Sequence, residues 1–329
     1  MAMKFNVQKA VREKISVKIA LMGSSGCGKS YSALRLASGM ASEIEKTTGK
    51  EAKILLVNSE GARGRYYADQ FKYDIVDLEA PFTPELYTDV INFAVSEKYD
   101  ILILDSTSPE WEGKGGCLEI QQQLGGKYQD WSKITPRHDK FIDTLAFSPI
   151  HIIATMKGKD QYEIDKDDRG KVSVKKLGVG AKQREGFEYN FTCTFLLDRD
   201  SHMARCEKDN THIFEREGDT ILTETFGEKI IQWANSGEGI NEKVRQFAEN
   251  VNSTGEGVIT QESLLADKIS EIKSLTTALT GIGVDRESIA TAIKKYHTVN
   301  GKPSANFNSV KDVDVANNII RELEGLKGE

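Results

Sequence analysis

No stretch constrains this chain more than the eight residues Gly23, Ser24, Ser25, Gly26, Cys27, Gly28, Lys29 and Ser30. Their spacing is GxxxxGK[ST]. An apolar run at 15–22 precedes them, and "SYSALRLASGM" continues with apolar residues at helical intervals. Strand, glycine-rich turn and helix, in that order, make a cradle for a phosphate chain. The glycines let successive backbone N–H groups curl around an anion, and the helix aims its positive N-terminal end at the same point. Lys29 adds a mobile cation for the outer phosphates. The Ser30 hydroxyl is a hard oxygen ligand for Mg2+. These eight residues, with the adjoining Tyr31, form the expected nucleotide-binding set, and the expected ligands are ATP and Mg2+.

Such a loop belongs on a parallel sheet, and the first two thirds of the chain agree. Apolar runs at 54–57, 101–104, 150–156 and 191–197 alternate with helical patterns as far as about Asp198. That alternation implies an α/β fold, a mostly parallel sheet with helices on both faces. "FLLDRDSHMARCEKDNTHIFE" then reads as a terminal hairpin. Two Gly/Ser/Asn-rich stretches follow, with a short helix at 243–250 between them. From Ser263 the pattern is helical: Leu265, Ile269, Ile272 and Leu279 first, then 287–296 behind Asp285, then 313–326 behind Asp312. The expected layout is a nucleotide-binding domain at 1–228, a linker at 229–262 and a small helical domain at 263–329.

Composition sets outer bounds. At 329 residues, 39% hydrophobic and 29% charged, the chain has ample apolar material for such a core. A net charge of -6 excludes a uniformly basic nucleic-acid coat but leaves room for a local basic loop. Cys27, Cys117, Cys193 and Cys206 show no CxxC spacing, and the histidines show no HExxH, which argues against zinc and disulfides. A reducing cytoplasm is expected. The charged start "MAMKFNVQKAVREK" lacks the apolar centre of a signal peptide, and no apolar stretch approaches membrane-spanning length.

"YDILILDSTSP" is an apolar run ending in Asp105. In open parallel sheets ligands gather at the carboxyl ends of strands, so Asp105 should lie beside the phosphate loop and share Mg2+ with Ser30. Many ATPases carry their catalytic glutamate directly after this aspartate; here Ser106 and Thr107 follow. A water-orienting carboxylate must then come from another strand end. Glu60, in "KILLVNSEGARGRYYA", stands at one.

On these residues the chain resembles the RecA-like recombination ATPases, in particular the phage-encoded members associated with single-strand annealing. The resemblance covers roughly residues 15–215. The phosphate loop and "ILILDS" are shared across the superfamily. "SEGARGRYYA" and the missing glutamate after Asp105 are the more specific marks. The resemblance implies a RecA-like P-loop NTPase core plus the small C-terminal helical domain. It implies that Glu60 is catalytic, that Tyr67 stacks on adenine and that Thr155 senses the γ-phosphate. It also implies that Lys208, with Arg205 second, reaches the neighbouring subunit's γ-phosphate in a homo-oligomer, ring or filament. Arg63 and Arg65 stay open between surface charge, phosphate and a neighbouring subunit.

The resemblance further implies two regions that touch single-stranded DNA. One follows Asp105 and carries Trp111, Lys114, Tyr128 and Trp131. The other is a long loop with Lys157, Lys159, Lys171, Lys175, Lys176, Lys182 and Arg184 beside Asp165, Asp167 and Asp168. The C-terminal helices, with Lys294 and Lys295, are either a plain packed unit or a dock for DNA or a single-strand binding protein. The implied function is an ATP-hydrolysing protein that assembles on single-stranded DNA in phage recombination or replication, in the host cytoplasm. Two alternatives remain: a P-loop nucleotide or small-molecule kinase with the 157–184 stretch as a lid, and a nucleotide-gated assembly module with little turnover.

Overall fold

Continuous apolar runs, buried on both faces, build the central sheet of the computed structural model. The structure describes residues 9–166, 172–254, 261–299 and 301–326; at 62, 159–166, 172–179, 252–254, 261–267, 270, 313 and 314 it describes the backbone alone. The strands are β1 (Lys18–Gly23), β2 (Ile54–Asn58), β3 (Asp74–Asp77), β4 (Ile101–Asp105), β5 (His151–Lys166), β6 (Val172–Ala181), β7 (Cys193–Leu197) and β8 (Ala204–Asp209). They lie in the order β3-β2-β4-β5-β1-β7-β8, with β6 paired to β5. Neighbours from β3 to β7 are parallel, β8 returns antiparallel on β7, and β6 returns antiparallel on β5.

Each face of the sheet takes every second side chain. Ile19, Leu21, Leu56 and Ile103 join one buried cluster with Leu34, Leu36 and Met40 of α1 (Lys29–Thr48) and Phe226, Ile230 and Ile231 of α6 (Glu224–Ala234). Ala20, Met22, Leu55, Val57, Leu102 and Leu104 join the other. Their partners there include Tyr87 and Ile91 of α2 (Pro84–Ser96) and Phe141 and Leu145 of α5 (Trp131–Phe147). Each fully buried side chain of this kind contributes about 1.5–3 kcal/mol. The short helices α3 (Ser108–Glu112) and α4 (Cys117–Gln123) fill the crossover between β4 and α5. The fold is therefore mixed α/β with a mostly parallel sheet covered on both faces, the architecture of a P-loop NTPase core.

Three features depart from the sequence reading. The edge strand β3 is short and half exposed, so its Asp-Ile-Val-Asp carries too little apolar pattern to announce it. The basic loop is not a loop over most of its length: β5 runs on through Lys166 and β6 brings the chain back, Gly158 opposite Ala181. Asp167, Asp168 and Lys171 lie outside the described residues. The first compact unit ends at Gly257 rather than near 228. The expected boundary falls inside α6, whose apolar face is buried on α1, and α7 (Glu242–Thr254) follows with Val251 buried in the second cluster.

The second unit, Val258–Glu329, holds α8 (Gln261–Gly281), α9 (Arg286–Tyr296), the two-residue strands β9 (Thr298–Val299) and β10 (Lys302–Pro303), and α10 (Val313–Gly325). Its core includes Ile272, Leu279, Ile293, Ile319 and Leu323. Asp285 caps α9 by accepting from the N–H groups of Glu287 and Ser288, and Lys295 pairs with Glu322 at 2.8 Å. Among the described residues no helix is long and apolar enough to cross a membrane.

Candidate nucleotide site

The phosphate loop leaves β1 at Gly23 and enters α1 at Lys29. Glycine is required twice for different reasons. At Gly28 the backbone is left-handed, φ 90°, a conformation that disfavours a side chain. At Gly23 a Cβ would lie 2.5 Å from Cys27 Sγ and 2.8 Å from the Leu197 carbonyl oxygen. Cys27, expected in the nucleotide-binding set, is fully buried and does not line the cleft described below; its Sγ packs 3.6 Å from Lys29 Nζ. Lys29 Nζ donates to the carbonyl oxygens of Gly23 (2.9 Å) and Ser24 (2.8 Å), across the mouth of the loop.

Asp105 ends β4 and is nearly buried, with 8% of its surface exposed. Ser30 Oγ donates to its Oδ2 at 2.6 Å, and Thr155 Oγ1 donates to its Oδ1 at 2.5 Å. Burial pushes the Asp105 carboxyl above its ordinary range, while the two hydroxyls pull it back. Ser30 Oγ and Asp105 Oδ2 thus present adjoining hard oxygens at the head of α1, a donor set that suits Mg2+. Thr155 is fully buried and spends its hydroxyl on Asp105. It does not line the cleft described below.

Glu60 stands two residues past the end of β2, and register sets Asn58 opposite Asp105. Ser59 ties the two strand ends: its N–H donates to the Asp105 carbonyl at 2.8 Å, and its hydroxyl accepts from the Ser106 N–H at 2.9 Å. Asn58, buried, shapes the turn by accepting from the Glu60 N–H and donating to the Gly61 carbonyl. One Glu60 oxygen lies 3.4 Å from Lys157 Nζ, and the other lies 3.5 Å from an Arg63 guanidinium nitrogen. Arg65 instead pairs with Asp77 at 2.6 Å.

The phosphate loop, Asp105, Glu60, Arg63 and Lys157 share one cleft of about 1100 Å³. Gly23, Ser24, Ser25, Gly26, Gly28, Lys29, Ser30, Tyr31, Glu60, Tyr67 and Asp105 all line it. Tyr67 meets Tyr31 edge to face, with centroids 5.2 Å apart, and packs partly on the core. Ile221 and Leu222 add an apolar part to the wall. Lys208 lies elsewhere, on β8, where its Nζ donates to the Tyr189 carbonyl at 2.7 Å; Arg205 pairs with Glu207.

Lys157, Lys182, His202 and Arg35 are among the lining residues that the sequence does not announce for this site. In the sequence, Lys157 and Lys182 are two lysines among the many of the basic stretch. Lys157 stands two residues beyond Thr155 on β5, in register with Gly23. Position relative to a strand end, not lysine content, was the available signal. His202 comes from the β7–β8 turn, which Asp198 holds by accepting from Asp200 and Ser201.

Behind the cleft Glu110, Cys117 and His138 are fully buried together. Glu110 takes hydrogen bonds from His138 Nδ1 (2.9 Å), Cys117 Sγ (3.2 Å) and Gln183 Nε2 (3.0 Å). These donors satisfy the carboxylate, and the network ties α3, α4 and α5 to the end of the β5–β6 ribbon. Trp111 and Trp131 stack on each other beside it, centroids 5.3 Å apart, while Tyr128 is 87% exposed.

A family model described as an AAA domain matches residues 15–233. No curated protein matches the chain. P-loop ATPase domains of this kind generally bind ATP and Mg2+.

Proposed function

Because this chain belongs to the AAA domain family, a P-loop ATPase, we propose that it hydrolyses ATP in the manner of RecA-like proteins and assembles on single-stranded DNA in phage recombination, annealing or replication. One observation carries the catalytic half. Glu60 faces the same cleft as the phosphate loop from the strand beside Asp105, where Ser106 and Thr107 directly follow the aspartate and no acidic residue does. In this reading the phosphate loop cradles the phosphates, Lys29 leaves its loop carbonyls for the outer phosphates, and Tyr67 and Ile221 flank the base. Glu60 orients the attacking water and accepts its proton. Mg2+, when bound by Ser30 and Asp105, would neutralise phosphate charge. Thr155 acts through Asp105, by holding the carboxylate's second oxygen.

The DNA half rests on the β5–β6 ribbon and the segment after Asp105. The ribbon's sequence carries Lys159, Lys175 and Lys176, with Lys182 and Arg184 just beyond it. Tyr128 offers an exposed ring for base stacking. Lys208 and Arg205, away from their own cleft, are the candidates to reach a neighbour's cleft in a ring or filament. The second unit is the candidate dock for a single-strand binding protein.

Glu60→Gln should retain ATP binding and lose about 100- to 1000-fold in kcat. An unchanged turnover number removes Glu60 from the chemistry. Single-stranded DNA should raise the wild-type ATPase rate, with salt-dependent affinity. A rate indifferent to DNA, with no DNA bound in a mobility-shift titration, sinks the DNA half and returns the kinase and assembly-module readings.

A further inference from the structure

We propose that Lys157 is a catalytic cation supplied in cis, which contacts the terminal phosphoryl group of ATP beside Glu60. The inference rests on the ATP-hydrolysis reading above and assigns a residue to that site which neither the phosphate-loop motif nor the resemblance supplies.

Three observations point there. Lys157 is in register with Gly23 on the neighbouring strand β1, so its side chain springs from the level of the phosphate loop itself. Its Nζ lies 3.4 Å from Glu60 Oε1, and both residues line the cleft. Its own backbone is pinned: the N–H donates to Ser108 Oγ at 2.9 Å, and the carbonyl accepts from the Lys182 N–H at 2.7 Å. A side chain on so fixed a base swings only about its own torsions. Arg63 also touches Glu60, but from an outer turn with 64% of its side chain exposed, against 44% for Lys157. A mobile cation on the sheet side of the carboxylate is therefore Lys157.

The geometry has a chemical consequence. Water held by Glu60 must lie between that carboxylate and the phosphorus it attacks. A cation touching the same carboxylate from the strand end is then within a few ångströms of the phosphoryl oxygens. In the step, the water oxygen bonds to the terminal phosphorus. The bond from that phosphorus to the bridging oxygen breaks, and ADP leaves with the electron pair. The water's proton passes to Glu60 and on to solvent. Lys157 stays protonated throughout. Its charge opposes the negative charge on the phosphoryl oxygens and on the departing ADP, the role that a cation from a neighbouring subunit plays in other phosphoryl-transfer sites.

The test uses the full chain in four variants, Lys157→Ala, Lys157→Arg, Lys208→Ala and Glu60→Gln, with kcat, KM, and ATP and ADP affinities measured over a range of protein concentrations. Lys157→Ala removes only a side chain, since its two backbone hydrogen bonds are made by the main chain. We expect it to lose about 100-fold in kcat at every protein concentration, with ADP affinity unchanged. Lys157→Arg should recover part of the loss. Lys208→Ala should lower only the concentration-dependent part of the rate. A Lys157→Ala enzyme with unchanged or raised kcat, while Glu60→Gln is inactive, overturns the cis cation and leaves the ATPase reading standing. If Glu60→Gln is fully active as well, Glu60 has no part in the chemistry and the placement of Lys157 beside it loses its meaning; only a wild-type chain without ATP turnover defeats the ATPase reading itself.

Discussion

At the scale of single residues, two lysines of this sheet show how little the residue type says by itself. Lys157 reaches the cleft with almost half its side chain exposed. Lys18, at the other end of β1, is 3% exposed and donates to Ser148 O (2.9 Å), Ser148 Oγ (3.0 Å) and Ile150 O (2.5 Å). It fastens the start of β1 to the connection between α5 and β5. Burial lowers its pKa to about 7. The unfolded chain holds that proton to about pH 10.4 and so binds more protons across the interval between the two values. Stability should therefore rise with pH from about 7 upward, by at most about 1.4 kcal/mol per pH unit from this group. Urea denaturation of wild type and Lys18→Met at pH 7 and pH 9 checks this. Wild type should gain on the variant at the higher pH, and parallel profiles would show that the ammonium titrates as if exposed. Nothing in "ISVKIALMG" marks Lys18 as buried; only its acceptors, 130 or so residues away in the chain, make burial tolerable.

Among elements, the contact least visible in the sequence is that of α6 on α1. Gly39 and Gly227 face across it: a Cβ at Gly39 would overlap the backbone of Glu224, and one at Gly227 would overlap the carbonyl of Leu36. Glycine in a helix interior costs about 1 kcal/mol relative to alanine, so its presence in both helices signals backbone-to-backbone packing. Arg35 and Glu224 pair beside the contact at 2.7 Å. Gly39→Ala gains helix propensity but must push the helices apart, and a net destabilisation of about 1–3 kcal/mol is expected by chemical denaturation. A neutral or stabilising result would mean that the two helices slide apart freely. Because α1 begins at Lys29, the same variant should weaken ATP binding if the phosphate loop moves with its helix. The strand side was easier to read: β1, β2, β4 and β7 are short apolar runs, and each was found within a few residues of its ends. β3 and the β5–β6 ribbon were not, because one is too short and the other too polar to carry an apolar period.

At the level of the whole chain, the structure separates into Met1–Gly257 and Val258–Glu329. A fragment ending at 257 should fold and keep nucleotide binding with basal turnover within about twofold of the full chain. One ending at 228 should not fold, because it deletes Ile230, Ile231 and Ala234 from the core. Losing burial worth about 1.5–3 kcal/mol per large apolar side chain is a large part of a stability that is typically about 5–15 kcal/mol. Circular dichroism melts and ATPase rates of the two fragments check this, and a stable, active 1–228 fragment would show α6 to be dispensable. The sequence by itself determined the phosphate loop, the α/β alternation around it, the aspartate at the end of β4 and the helical second unit. These are local signals, written in residue type and spacing over a few turns or strands. Tertiary structure alone decided that Glu60 enters the cleft, that Thr155 turns inward to Asp105, that Lys157 and not Lys208 lies beside Glu60, and that α6 closes the first unit. Each of those depends on which strands are neighbours and in what register, which is set by packing between residues far apart in the chain.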